Sequence, residues 1–254
     1  MNVHQAMRRS IQHLLVLACV PLVLAGCEGA QGDDAACEDG LAAGAYDIRT
    51  SRFAFGSPPV HSVEADLDRW TGPHGTLVHF SSGAIAASLN GDAPRLPAYS
   101  LDGEKVKAHT TAYFKSMGVA DCQLLPATVS AGGGAGGPRL DASLIRGIDG
   151  IVVAESIATA SFDEQGKTTY EAFFWPAIPA DVVDEARRFR AELADPAKLA
   201  AFKAKLPEEA RGDGQVTIHH NPTGSPDPFA AIVTWDTLAG PSPLSFDTEG
   251  RPLR

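Results

Sequence analysis

The chain has 254 residues, enough for one large domain or two small domains with hydrophobic cores. Hydrophobic residues make up 44% and charged residues 20% of it, as in ordinary globular proteins. The formal net charge is -10, which argues against binding to phosphate backbones, so a nucleic-acid partner is not expected.

The first 26 residues have the pattern of an export signal. Arg8 and Arg9 supply positive charge, residues 14–24 form a short apolar run, and no acidic residue precedes Glu28. The run is shorter than the ~20 apolar residues that a membrane-spanning helix needs. The simplest alternative is a plain secretory signal followed by a cysteine that is there by chance.

The signal ends in Leu24-Ala25-Gly26-Cys27, which resembles the lipobox of bacterial lipoproteins. The resemblance implies cleavage before Cys27 and acylation of this cysteine, so that a lipid membrane becomes a partner. Several acyl chains, palmitate among them, make a lasting anchor because each buried methylene adds about 0.8 kcal/mol. Glu28 is not the aspartate that resembles an inner-membrane retention signal. The prediction is therefore the cell envelope, with the outer membrane preferred to the inner.

Four segments are predicted: a signal peptide (1–26), a flexible tether (27–44), a β-rich region (45–98) and an α+β region (99–254). The last two are open to being one continuous domain. The tether is small, polar and acidic, and it lacks the apolar residues needed for a core. Loss of the signal leaves 19 basic and 31 acidic residues, a net charge of -12.

Two of the four cysteines have other fates, since Cys19 leaves with the signal and Cys27 takes the lipid. Cys37 and Cys122 remain in an oxidising compartment, and we predict a disulfide between them. It would close a long loop and contribute about 4 kcal/mol in the entropy model. Two free, buried thiols are the alternative.

Alternating residues between Gly/Pro-rich turns predict an antiparallel meander over 46–89, with strands at 46–55, 60–70, 76–80 and 84–89. A helix is predicted from its cap at Asp102 to Gly118, then a flexible glycine loop or hinge at 132–137. Further strands are predicted at 140–146, 151–162, 167–175, 215–220 and 229–235, with one helix capped by Asp181 and another starting at Pro196. Together these elements predict an α+β fold, with antiparallel sheet segments packed against a few helices.

Two sequence features suggest relationships within and beyond the chain. Residues 161–167 (SFDEQGK) return as 245–251 (SFDTEGR), which a short duplication or two independent turns would explain. From 102 to 175, a helix, a glycine-rich excursion and strands around 146–153 (RGIDGIVV) are similar to PepSY and thermolysin-propeptide modules, although Val152 stands where proline is usual. That similarity implies a binding or peptidase-inhibiting role, with a peptidase or other envelope protein as partner and no catalytic residues.

Candidate site residues are few. Gly132, Gly134 and Gly137 match the letters of a dinucleotide fingerprint, but a strand-like run follows them instead of a helix, so no cofactor is predicted. His219 and His220 would point to opposite faces of a strand and could not easily share a metal, so no metal is predicted. The remaining candidates are His61, His74, His79 and His109, the carboxylates Asp66 and Asp68, and Trp175 and Trp235, which we interpret as core aromatics.

Three functional hypotheses follow. The first is a non-enzymatic, membrane-anchored lipoprotein that binds or inhibits an envelope partner. The second is a hydrolase that uses His79 or His219 with a nearby carboxylate. The third is a structural component of the envelope. No motif indicates a substrate or an oligomeric state.

Overall fold

The computed structural model describes residues 59–64, 67–89, 102–134, 137–220, 230–237 and 244–253. Strand accounts for 46% and helix for 26% of the structure. In these ranges the strands join into a single 11-stranded mixed sheet on which helices pack. The predicted α+β fold is therefore wrong, because the strands hydrogen-bond into one continuous, curled sheet instead of separate antiparallel segments.

The strands in chain order are β1 (Val60–Glu64), β2 (Leu67–Gly72), β3 (Gly75–Phe80), β4 (Ile85–Leu89), β5 (Thr128–Gly134), β6 (Gly137–Ile148), β7 (Ile151–Asp163), β8 (Thr168–Phe174), β9 (Gly214–His220), β10 (Ala231–Thr237) and β11 (Ser245–Phe246). Their order across the sheet is β1-β2-β3-β4-β8-β7-β9-β10-β11, and β6 with β5 branches from β7. Residues 60–70, predicted as one strand, contribute to two. Because β4 pairs with β8, the described parts of the predicted β-rich region (45–98) and of the predicted α+β region (99–254) share one sheet.

Three α-helices lie in the described ranges: α1 (Gly103–Lys115), α2 (Ala180–Leu193) and α3 (Pro196–Lys203). The Asp102 carboxylate accepts hydrogen bonds from the first-turn backbone of α1, which confirms its predicted role as the cap. Asp181 is not the cap of α2, because the helix begins one residue earlier, after Pro179. Asp181 lies in the first turn, where negative charge is still favourable.

The glycine run is part of a hairpin, and its prediction as a flexible loop or hinge is wrong for the described residues. Gly132 and Gly133 pair with Arg139 and Pro138, and they extend β5 to its end. Strand pairing uses backbone groups and needs no side chains. Glycines can therefore continue a strand where a glycine-rich sequence predicts a loop.

Both copies of the repeated heptapeptide fold as the same turn. Asp163 and Asp247 each accept hydrogen bonds from the backbone N–H groups two and four residues ahead. Gly166 (φ 73°) and Gly250 (φ 88°) supply the positive φ angle that each turn requires. The requirements of this turn account for the Asp and Gly that the two copies share.

Two hydrophobic clusters pack against the sheet, which we call the α1 core and the α2 core. The α1 core comprises Val106, Phe114, Met117, Val119, Ala142, Leu144, Ala158, Ala160, Phe162, Phe173 and Trp175. The α2 core comprises Ile148, Ile151, Val153, Ile178, Val183, Ala186, Phe189, Phe202, Leu206, Ala210, Val216, Ile218, Val233, Trp235 and Phe246. Strand β6 runs through both, since Leu144 belongs to the first core and Ile148 to the second.

Candidate functional site

An irregularity in β7 positions the most unusual side chains of the molecule. The β6 register jumps from Ile157 to Val153 of β7, so the three residues between them are unpaired on that side. Glu155, the middle one, has φ 63°, a conformation that is uncommon and strained for a non-glycine residue. On its other edge β7 changes partner here, from parallel β9, ending at His219, to antiparallel β8, beginning at Phe174.

The bulge brings Glu155 to His219, which also contacts Asp236 on β10; we call these three residues the charged cluster. His219 Nδ1 lies 2.9 Å from Glu155 Oε1, and Nε2 lies 2.8 Å from Asp236 Oδ2. The other carboxylate oxygens are also used: Glu155 Oε2 accepts from the backbone N–H of His220, and Asp236 Oδ1 accepts from the Thr234 hydroxyl. The cluster therefore ties together β7, β9 and β10.

The two carboxylates fix the protonation of the imidazole. Burial alone lowers the pKa of His219, but the hydrogen bonds and charges of Asp236 and Glu155 outweigh it and raise the pKa to about 10. Burial raises the pKa of Asp236, and the contacts with His219 more than reverse this, so that the pKa lies below its ordinary value. At neutral pH the cluster is an imidazolium between two carboxylates.

This arrangement differs from a Ser-His-acid triad. A general base needs one imidazole nitrogen free to take a proton from the nucleophile. Both nitrogens of His219 are engaged by carboxylates, and the Ser245 hydroxyl bonds to Asp236 and not to the imidazole. Chemically, the cluster acts as an ion network that joins three strands.

The other candidates of the hydrolase hypothesis are dispersed. His79 lies on β3, and its backbone neighbour on β2 is Asp68, whose carboxylate contacts His61 at 3.3 Å. Asp66 lies outside the described residues. The structure thus brings His219, and not His79, to a pair of carboxylates.

Sequence reasoning missed Glu155, Asp236 and the buried Arg146. Each of these three residues is the single charged residue in an otherwise apolar or neutral stretch of its strand, and this pattern is visible in the sequence. Such a residue is costly to bury unless it is paired, so its position predicts a partner across the sheet. Which partner it meets depends on strand order, which the local sequence does not contain.

Two predictions concern residues at or beyond the described ranges. Cys27 and Cys37 lie outside them, and Cys122 lies in a short 3-10 helix, Asp121–Gln123, so acylation and the disulfide stay predictions.

Trp175 and Trp235 are 2% and 5% exposed and belong to the α1 and α2 cores, which confirms their interpretation as core aromatics.

The antiparallel pair of β1 and β2, which we call the β1–β2 ribbon, is the second candidate surface. Val60 and Val63 are each 74% exposed, the most exposed large hydrophobic side chains in the described part of the chain. The rings of His61 and Trp70 stack with centroids 4.8 Å apart. Along the described sheet, β1 is an end strand with β2 as its one partner.

In the part of the chain that the structure describes, no group of three or more His, Cys, Asp or Glu side chains is arranged to hold a metal ion. Over the same residues no helix is both long and apolar enough to cross a membrane. No family model matches the sequence, and no curated protein matches it either. The lipobox and PepSY resemblances therefore remain predictions.

Proposed function

We propose that this chain is a lipid-anchored protein of the bacterial cell envelope that binds an extended segment of another envelope protein through the β1–β2 ribbon. The anchor is Cys27, acylated after cleavage of residues 1–26, and the outer membrane is the preferred location. The lipobox Leu24–Cys27 and the acidic, apolar-poor tether behind it support this placement.

The observation that carries the binding role is the outer edge of β1, which pairs with no other strand in the described part of the chain. An end strand presents a row of backbone N–H and C=O groups on which another extended chain can add as a further strand. Val60 and Val63 offer aliphatic contacts on its two faces. The mature chain carries a net charge of -12, so a partner segment with Lys or Arg beside aliphatic residues is the best match.

The charged cluster supports a binding role over hydrolysis, because its imidazole has no nitrogen free to act as a base. A hydrolase would have to release His219 from one carboxylate at each turnover. A panel of ester, peptide and glycoside substrates tests this directly: turnover by the purified protein that is lost in His219→Ala would overturn the proposal.

The binding test uses the full lipidated chain in membranes and a double variant, Val60→Lys with Val63→Lys. Photo-crosslinking from the ribbon should yield one dominant envelope protein, and the double variant should reduce its yield about tenfold. Leu253→Lys is the matched control, since Leu253 is exposed but lies at the other end of the described chain. An equal crosslinking yield from all three proteins, with melting temperatures that match, would show that the ribbon is not a docking edge.

The anchor has its own test. Intact-mass spectrometry of membrane-extracted protein should find a chain that begins at Cys27 and carries fatty acids. The variant Cys27→Ala should keep its signal and stay unprocessed. A processed chain without lipid would leave binding possible and remove the anchor.

A further inference from the structure

A band of polar side chains lies buried between the two hydrophobic cores; we call it the polar junction. It consists of Gln123, Arg146, Ser156, Trp175 and His220, which are 0–2% exposed. Arg146 follows Leu144 of the α1 core and precedes Ile148 of the α2 core on the same face of β6. His220 shares its face of β9 with Val216 and Ile218 of the α2 core. Arg146 therefore lies where the two cores meet, and His220 lies at the end of the α2 core.

Arg146 is the centre of the junction. Its Nε donates to Gln123 Oε1 at 2.7 Å, and Nη1 donates to the carbonyl oxygen of Pro176. The guanidinium carbon lies 5.2 Å from the ring centroid of Trp175. These contacts place the guanidinium beside the indole of Trp175 and the amide of Gln123.

Several polar atoms around Arg146 make no hydrogen bond. They are Gln123 Nε2, Ser156 Oγ, Trp175 Nε1 and both ring nitrogens of His220. Continuing the β7–β8 register by one pair places Ser156 opposite Trp175. The His220 ring packs edge-on against Phe174 at 5.9 Å, one residue before Trp175, and the charge of Arg146 acts on it. Leaving such groups unpaired costs about 1–3 kcal/mol each, so native proteins generally give them a water or a ligand.

The donors in this set select the charge of the occupant. Amide and indole N–H groups cannot ligate a cation, and a guanidinium repels one. The positive charge of Arg146, by contrast, attracts an anion, and the oxygens of a carboxylate can accept hydrogen bonds from the unpartnered N–H groups around it. We propose that the polar junction is a binding site for a small carboxylate ion, held by Arg146 and by the unpartnered groups of Gln123, Ser156, Trp175 and His220. The site depends neither on the lipid anchor nor on the β1–β2 ribbon.

The test titrates the full processed protein with formate and acetate, with chloride at equal ionic strength as the reference. The carboxylates should raise the melting temperature with saturation, and chloride should not. In ¹H–¹⁵N spectra the indole N–H of Trp175 and the ring nitrogens of His220 should shift along the same saturation curve. Absence of saturation, or saturation without shifts at these two residues, would overturn the site.

Two variants localise the effect. Ser156→Ala removes one unpartnered hydroxyl, so it should leave the fold intact and weaken formate binding about 3–10-fold, the value of one hydrogen bond. His79→Leu, on β3, is the control and should bind formate like the original chain. If Ser156→Ala binds formate unchanged, or a high-resolution crystal structure grown with formate places only water in the junction, the proposal is wrong.

Discussion

His219 and His220 are adjacent in sequence and have opposite environments. His219 lies between two carboxylates, and its pKa is raised to about 10. His220 has no hydrogen bond to its ring, and burial together with the charges of Arg146 and His219 lowers its pKa to about 4. Both are largely removed from solvent, so depth does not explain the difference. The partners on each face of β9 determine the charge, and strand alternation assigns one histidine to each face.

The two faces also differ in what they contribute to folding. On the face of His219, charged groups satisfy one another and connect three strands. On the face of His220, polar groups are brought into a core seam with unmet donors. The first arrangement stabilises the folded chain, and the second lowers its stability unless something occupies the seam.

The largest expected effect is the difference in stability between the two variants in which His219 or His220 is replaced by leucine. His219→Leu leaves Glu155 and Asp236 without their shared cation, so the free energy of unfolding should fall by about 3–5 kcal/mol. His220→Leu removes a buried polar group that has no partner, and it should change stability by less than about 1 kcal/mol or raise it. Urea unfolding at pH 7 measures both. Equal losses would contradict the comparison.

The pH dependence of stability should show the same contrast, with a maximum near pH 6.5. Above 6.5 the folded chain keeps the His219 proton that the unfolded chain loses, so stability declines as pH rises towards about 10. Below 6.5 the unfolded chain takes up a proton that His220 refuses until about pH 4, so stability also declines as pH falls. Thermal unfolding between pH 4 and 10 measures both limbs.

The matched variants identify each limb. His219→Leu should flatten the alkaline limb and leave the acid limb, and His220→Leu should do the reverse. A profile in which either variant flattens both limbs would mean that the two histidines titrate as one unit.

A smaller effect should rank the two carboxylates of the charged cluster. Asp236→Asn and Glu155→Gln each keep the shape of the side chain and remove one charge, so both should lower the pKa of His219. The Asp236 side chain is 11% exposed and that of Glu155 32%, so Asp236→Asn should lower it more. We expect each variant to lower the free energy of unfolding by about 1–3 kcal/mol. NMR titration of His219 in each variant measures how far its pKa falls. A larger decrease in Glu155→Gln than in Asp236→Asn would contradict the prediction.

The smallest effect belongs to the exposed counterpart of the cluster. His61 and Asp68 form a similar pair at 3.3 Å, but their side chains are 46% and 41% exposed. Asp68→Asn should cost no more than about 0.5 kcal/mol because solvent screens the pair. A cost comparable to that of Asp236→Asn would show that burial is not what strengthens the cluster.

Local signals in the sequence located most elements well. Asp102 marks the start of α1 because its short carboxylate side chain satisfies free N–H groups there, and Pro196 marks the start of α3 because proline suits a first helical position. Alternation located β3, β4 and β8, and Asp163 to Gly166 marked the turn between β7 and β8. These features depend on residues within a few positions of one another.

The fold class and the site depended on longer-range relations. The parallel contact of β7 with β9 joins Ala154 to His219, which no local pattern encodes, and it helps convert separate strand groups into one sheet. The bulge at Glu155 falls within a run that alternates well enough to be predicted as one uninterrupted strand. The sequence therefore identified His219 as a candidate, but it did not identify the two carboxylates that occupy both of its ring nitrogens.

The position of β1 has a mechanical consequence for a chain held by its N-terminus. Where no disulfide joins Cys37 to Cys122, tension from an anchor at Cys27 would enter the described strands at Val60, the end of β1 farthest from its connection to β2. The backbone bonds of the ribbon would then be loaded one after another, beginning at Val60 and Thr71, instead of all together. We expect β1 to peel away at low force while the strands held by the charged cluster remain folded.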